Sequence, residues 1–167
     1  SEYVGDYFKA REYLSGFTGS AGTLLVCRES AFLWTDGRYF LQAEKQLAQT
    51  PIELMKSGQP GVPALEEFLA DHLKVQDRVG FDGRTVTKAF VEKLRNKTED
   101  KQITFCSGED LAGLVWTDRP ALSAEPVWEL GEDYAGLSKE DKLRQVREKM
   151  QAQKTDALLL TALDEIA

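Results

Sequence analysis

Two stretches of the chain place residue types that could do chemistry close together. The first is Gly16-Phe17-Thr18-Gly19-Ser20-Ala21-Gly22, whose closely spaced glycines could turn backbone N–H groups toward an anion. It lacks a Gly-Lys-Ser/Thr ending and a Gly-x-Gly-x-x-Gly pattern, and strand-like residues follow it where a phosphate loop needs a helix. Tight packing between the preceding helix and the following hairpin is the simpler reading. The second stretch is Trp34-Thr35-Asp36-Gly37-Arg38-Tyr39, which sets an aromatic ring, a carboxylate, a guanidinium and a phenol at a strand-to-helix corner. Arg38 could clamp a substrate carboxylate with both arms of its guanidinium, or pair with Asp36 or Glu44. From the residues alone, pairing within the chain is the more economical reading.

Other chemistries have little to work with. His72 is the sole histidine, so it offers a metal one nitrogen at most and no serine or cysteine another base; it reads as a surface or half-buried helix residue. Carboxylates are plentiful, but none falls in an Asp-x-Asp or calcium-loop spacing, so no metal ligand and no catalytic residue is assigned. Charge runs such as Glu132-Asp133 and Glu140-Asp141 read as solvated faces. Cys27 and Cys106 lie 79 positions apart in strand-like surroundings and are expected as buried, reduced thiols. A net charge of −7 leaves no basic stripe for nucleic acid. No apolar run approaches the ~20 residues that span a bilayer, so a membrane is not a partner. The first eleven residues lack the basic start and apolar stretch of a secretory signal.

The elements that must hold these residues follow from periodicity. Tyr7, Phe8, Arg11 and Leu14 have helical spacing over residues 6–14, and Ser15-Gly16 supplies a stop. Residues 23–28 and 31–35 read as an antiparallel hairpin turning at Glu29-Ser30, and a helix is expected over 38–47. A strand at 52–55 precedes a helix whose buried stripe is Leu65, Phe68, Leu69 and Leu73, with Pro63 near its start. A short strand at 79–81, a helix capped by Thr87 and carrying Phe90, Val91 and Leu94, and a strand at 103–106 complete the alternation. The expected fold class is therefore α/β, a mixed sheet layered with helices.

Beyond residue 116 the chain changes character. Arg119-Pro120 and Glu125-Pro126 favour extended backbone, so residues 117–137 read as a linker between a first domain at 1–116 and a helix and strand at 138–167. Ser138-Lys139-Glu140-Asp141 has the form of a capping box, Leu143, Val146 and Met150 share one helical face, and residues 156–160 read as a buried strand. One helix and one strand cannot enclose a core, so the expectation is a truncated chain whose last elements dock on the first domain or begin another.

Four segments carry a specific resemblance. Residues 11–23 (Arg-Glu-Tyr-Leu-Ser-Gly-Phe-Thr-Gly-Ser-Ala-Gly-Thr), residues 33–43 (Leu-Trp-Thr-Asp-Gly-Arg-Tyr-Phe-Leu-Gln-Ala), residues 115–120 (Val-Trp-Thr-Asp-Arg-Pro) and residues 161–167 (Thr-Ala-Leu-Asp-Glu-Ile-Ala) closely resemble, in order, the first two domains of the three-domain aminopeptidase P family, the Xaa-Pro aminopeptidases. The resemblance implies a creatinase N-terminal-like fold. It also implies a cytoplasmic parent metalloprotease that hydrolyses the bond between an N-terminal residue and a following proline. In that family the chemistry belongs to a C-terminal domain holding two divalent metals, usually manganese, so this chain is expected to be an accessory, inactive piece with no cofactor of its own. Proline-containing peptides, the parent's own catalytic domain and a second copy in a homodimer are the implied partners. In such enzymes the first domain shapes the mouth of the active site, which makes Arg38 and Tyr39 the candidates for lining it. The alternative is a stand-alone peptide- or protein-binding module of the same fold.

A first domain of this kind opens with a helix and a strand before a sequence like Ser1-Glu2-Tyr3. Residues 142–160 have the look of that opening, since the family's first two domains resemble internal repeats. The expectation is that the helix and strand near the C-terminus fill the vacant place in the sheet, in the same chain or in a neighbour's.

Overall fold

The computed structural model describes residues 4–108 and 110–161. The chain divides into two compact units, one ending at Ser123 and the other beginning at Ala124.

In the first unit, β1 (Thr23–Val26) and β2 (Ala31–Thr35) form the expected antiparallel hairpin, with Thr23 opposite Trp34 and Val26 opposite Ala31. β2 then pairs in parallel with β3 (Ile52–Lys56). A parallel pair cannot be joined by a tight turn, and the crossover is α2 (Phe40–Leu47). Because strand side chains alternate, the sheet has two apolar faces. On one, Leu33 meets Phe17 and the α2 residues Ala43 and Leu47, with Leu24, Tyr39, Ile52 and Leu54 around them. On the other, Trp34 and Met55 meet Phe68 of α3 (Leu65–His72), with Leu25, Phe32, Val62 and Leu65 alongside. Both faces are covered by helix, as a parallel sheet requires. The indole of Trp34 is satisfied by donating to the Pro63 carbonyl at 2.9 Å.

β4 (Arg78–Gly80) and β5 (Thr104–Cys106) form a second, parallel pair joined through α4 (Lys88–Lys97). The expected Thr87 cap is present: its hydroxyl oxygen accepts from the Phe90 N–H at 3.3 Å. α4 packs beside α3, tied by the Glu66–Lys93 ion pair and by Glu67–Lys97 at 3.6 Å. Lys101 donates its ammonium to the Ala70 carbonyl and, at 2.9 Å, to that of Leu73, closing the C-terminal end of α3. Among the described residues no ladder joins β3 to β4, so the sheet is split in two.

α1 (Ala10–Ser15) is shorter than the helix expected over 6–14, because Asp6–Phe8 is a separate 3-10 turn and Lys9 leaves helical geometry with ψ 31°. The Tyr7 carbonyl, which a continuous helix would give to the Arg11 N–H, accepts instead from Arg119 Nε at 2.7 Å. α5 (Leu111–Val115) follows, capped by the Asp110 carboxylate accepting from the Gly113 N–H at 2.8 Å.

In the second unit, α6 (Glu132–Ala135) ends at Gly136, whose φ of 76° suits a glycine, and α7 (Lys139–Ala152) opens as expected at Ser138, which accepts from the Asp141 N–H at 3.1 Å. The strand expected at 156–160 does not form within this chain. Residues 157–161 belong to neither sheet and stay exposed, because a strand exists only against a hydrogen-bonded neighbour. The expected burial of the cysteines is also corrected. Cys27 is exposed in the β1–β2 turn, where its N–H donates to the Ser30 carbonyl at 2.8 Å, and Cys106 is half-buried at the end of a short strand beside Arg78. Among the described residues no helix is long and apolar enough to cross a membrane. Residues 162–167, most of the last segment of the resemblance, lie outside the described residues, as do residues 1–3.

Candidate functional site

The two stretches singled out by their chemistry lie side by side. The glycine loop runs from the end of α1 to β1, the corner runs from β2 to α2, and a 2.6 Å hydrogen bond between the hydroxyls of Ser20 and Tyr39 joins them. Tyr39 is half-buried, with its ring edge-on to Phe17 at 6.0 Å. Gln46 completes the seam, accepting from the Thr18 N–H at 3.2 Å and donating to the Thr18 hydroxyl at 2.9 Å.

The loop is built around a cation. Arg11, from α1, donates to the Gly22 carbonyl at 2.6 Å and to the Gly19 carbonyl. Its guanidinium carbon lies 5.5 Å from the Phe17 ring centroid. Burial is the main cause that lowers the Arg11 pKa from its ordinary value, yet a guanidinium stays charged. The carbonyls of Gly19 and Gly22 therefore turn inward onto a positive charge, the reverse of the N–H array that an anion needs. The glycines are also required by packing: a Cβ on Gly22 would sit 2.9 Å from the Trp34 carbonyl oxygen, and one on Gly19 would strike the Phe17 ring. Tight packing accounts for the loop. The role of Arg11 was not read from the sequence, although an arginine on the apolar side of a helix next to a glycine-rich turn was the available signal.

At the corner, Asp36 and Arg38 form a two-pronged pair, Nε to Oδ1 at 3.0 Å and the terminal nitrogen to Oδ2 at 2.9 Å. The Arg38 N–H also donates to Oδ1 at 3.1 Å, so the carboxylate closes the turn before α2. These hydrogen bonds hold the Asp36 carboxyl below its usual pKa. Glu44, the other partner considered for Arg38, pairs with Lys56 at 2.5 Å. The Arg38 guanidinium remains largely exposed and lies 5.3 Å from the Tyr39 ring centroid.

A second charged cluster escaped the sequence reading. Asp82 and Asp110 both pair with Arg84, at 2.7 and 2.8 Å, and Asp110 also pairs with Arg119. Arg119, with only 10% of its side chain exposed, lies 3.8 Å over the Tyr7 ring and 5.5 Å from that of Trp116, which in turn stacks on Tyr13 at 4.5 Å. The guanidinium bonds hold both carboxyls below their usual pKa, Arg84 being the largest cause for Asp82 and Arg119 for Asp110. Asp82 and Arg84 are two positions apart, but Asp110 lies 26 positions from Arg84 and 9 from Arg119, and Arg119 lies 112 from Tyr7, separations that no local spacing rule could join.

His72 is exposed at the end of α3, its ring stacked on Phe68 at 3.8 Å and its Nδ1 2.8 Å from the Phe68 carbonyl oxygen. Among the described residues no three His, Cys, Asp or Glu side chains gather in a way that could hold a metal ion. The described residues do not fit a di-nuclear metal centre.

A sheet layered by helices, bearing a glycine loop and an Asp-Gly-Arg-Tyr corner, defines an α/β domain. The chain belongs to the creatinase/prolidase N-terminal domain family, whose models match residues 8–117 and again 118–167. It is 40% identical along its whole length to a probable Xaa-Pro aminopeptidase P of Laccaria bicolor and to aminopeptidase P2 of Arabidopsis thaliana. Among solved structures, an X-prolyl aminopeptidase from Caenorhabditis elegans, described as a cytosolic enzyme with a di-nuclear active site, is 37% identical over 93% of the chain with a TM-score of 0.75. The chain spans about a quarter of the length of these relatives, 26%, 24% and 26% respectively.

Proposed function

We propose that this chain is the accessory, non-catalytic N-terminal region of a metal-dependent Xaa-Pro aminopeptidase, an enzyme that releases the first residue of peptides with proline second. The observation that carries this reading is the unbroken agreement along the chain: 40% identity over all of it to relatives named for that activity, of whose length it makes up a quarter. In this reading residues 1–116 are the first domain, 117–137 a linker, and 138–167 the start of the second domain. The catalytic domain carries two divalent metals, manganese by the family resemblance, and the parent is a cytoplasmic homodimer. Arg38 and Tyr39 line the mouth through which the peptide enters. The exposure of the Arg38 guanidinium supports this, as does the hydrogen bond that anchors Tyr39 to Ser20 in the same corner.

The test uses the full-length parent with manganese, on a peptide with proline second and on its alanine-second twin. Cleavage restricted to the proline peptide is expected, and equal cleavage of both or of neither removes the reading. Within it, Arg38→Ala is expected to raise KM several-fold with kcat little changed. An unchanged KM removes Arg38 from the mouth.

A further inference from the structure

The Asp36 carboxylate does two things at the corner. Its Oδ1 accepts from the Arg38 N–H at 3.1 Å, which closes the turn, and its two oxygens hold the guanidinium, Nε at 3.0 Å and the terminal nitrogen at 2.9 Å. The same residues recur at Asp82-Gly83-Arg84 and fold the same way: the Arg84 N–H donates to Asp82 Oδ1 at 2.9 Å, and the guanidinium is held at 2.9 and 2.7 Å. Asp-Gly-Arg after a strand thus fixes an arginine on its own turn.

The two arginines are fixed in different settings. Arg84 reaches on to the Asp110 carboxylate at 2.8 Å and to the Tyr7 hydroxyl at 3.1 Å, so its orientation ties distant parts of the fold together. The Arg38 side chain is 63% exposed, with its guanidinium carbon 5.3 Å from the Tyr39 ring centroid. An exposed ion pair contributes little to stability, so stability does not account for the second prong from Asp36. The corner lies just past the carboxyl end of β2, which pairs in parallel with β3, and open α/β sheets bind ligands outside the carboxyl ends of their strands. Immobilising a long side chain on binding costs affinity, and a side chain already held by its neighbour is spared that cost.

We propose that Asp36 is a positioning residue for peptide binding, holding the Arg38 guanidinium beside the Tyr39 ring in the orientation that meets the incoming peptide. This role presupposes Arg38 at the mouth of the parent's active site and adds the residue that orients it there. Asp36 acts on the peptide only through Arg38.

Steady-state kinetics of the full-length parent with manganese, on a proline-second peptide, compare Asp36→Asn, Arg38→Ala and the double variant, with the Tm of each measured alongside. Asparagine keeps an Oδ1 to accept from the Arg38 N–H, so the turn survives, but it sets an amide donor against the guanidinium and loses the second prong. Asp36→Asn is expected to raise KM by roughly two- to tenfold, with kcat and Tm unchanged. The double variant is expected to match Arg38→Ala, because the two residues act as a unit. A wild-type KM for Asp36→Asn beside a raised KM for Arg38→Ala overturns the proposal and leaves Arg38 at the mouth. A double variant worse than Arg38→Ala also overturns it, since Asp36 then acts on its own, and so does a joint fall in kcat and Tm, the mark of a structural role. An Arg38→Ala variant with the wild-type KM removes Arg38 from the mouth and the role of Asp36 with it.

Discussion

Replacing Arg11 by Met keeps the aliphatic stem and removes the cation around which the glycine loop closes. Two hydrogen bonds are lost, to the carbonyls of Gly19 and Gly22. Bonds from a charged donor contribute about 1.5–3 kcal/mol each, and water reaching a half-buried loop returns part of that, so the net loss is about 3 kcal/mol. In a unit of this size each kcal/mol moves Tm by roughly 4 °C, which puts the variant roughly 10 °C below the wild type. Lysine satisfies one carbonyl at a time, so Arg11→Lys is expected to fall between the two. Thermal unfolding followed by circular dichroism reads all three proteins, and added inorganic phosphate is expected to leave each Tm where it was. A Met variant as stable as the wild type, or a wild-type Tm that rises with phosphate, refutes the cation-centred loop and restores an anion site.

Other consequences are sharp enough to measure. Arg119→Ala removes the bond to the Tyr7 carbonyl, the Asp110 pair and the Tyr7 stack, and is expected to cost about 2–4 kcal/mol in chemical denaturation; Asp110 keeps Arg84, so the loss stays below that of an orphaned charge. Because Asp82 and Asp110 have pKa values lowered in the folded state, their contribution is complete above the unfolded carboxylate value of about 4 and disappears as pH falls through the lower folded values. Asp110→Asn is expected to flatten that acid limb, and an unchanged pH–stability curve refutes the assignment. Gly22→Ala forces a Cβ to within 2.9 Å of the Trp34 carbonyl oxygen and is expected to lower Tm despite the general preference for alanine over glycine. Leu33→Ala, at a fully buried site between α2 and the sheet, is expected to destabilise by about 2–5 kcal/mol in urea.

Local pattern carried much of the first unit. The hairpin, the crossover helices and the Thr87 and Ser138 caps are written in alternation, helical spacing and cap chemistry, each decided by residues a few positions apart. The readings that failed needed knowledge of distant partners. Cys27 and Cys106 lie in apolar sequence but at strand ends, where a turn and a sheet edge leave them accessible. Residues 156–160 have strand composition, yet a strand is a pairwise object and nothing in a local pattern supplies its neighbour. The short first helix was equally hidden, since the Tyr7 carbonyl is taken by an arginine 112 positions away. At the candidate site the corner residues and the pairing of Arg38 with Asp36 are legible from their spacing, but the cation inside the glycine loop emerges only with the fold.

The most direct measurement of the central claim sets this chain beside its full-length parent, each with manganese, on a proline-second peptide and its alanine-second twin. Release of the first residue by the parent alone, and from the proline peptide alone, is the expected result. Cleavage by the 167-residue chain contradicts the account, because it would place a working catalytic centre in a chain whose described residues gather no metal ligands.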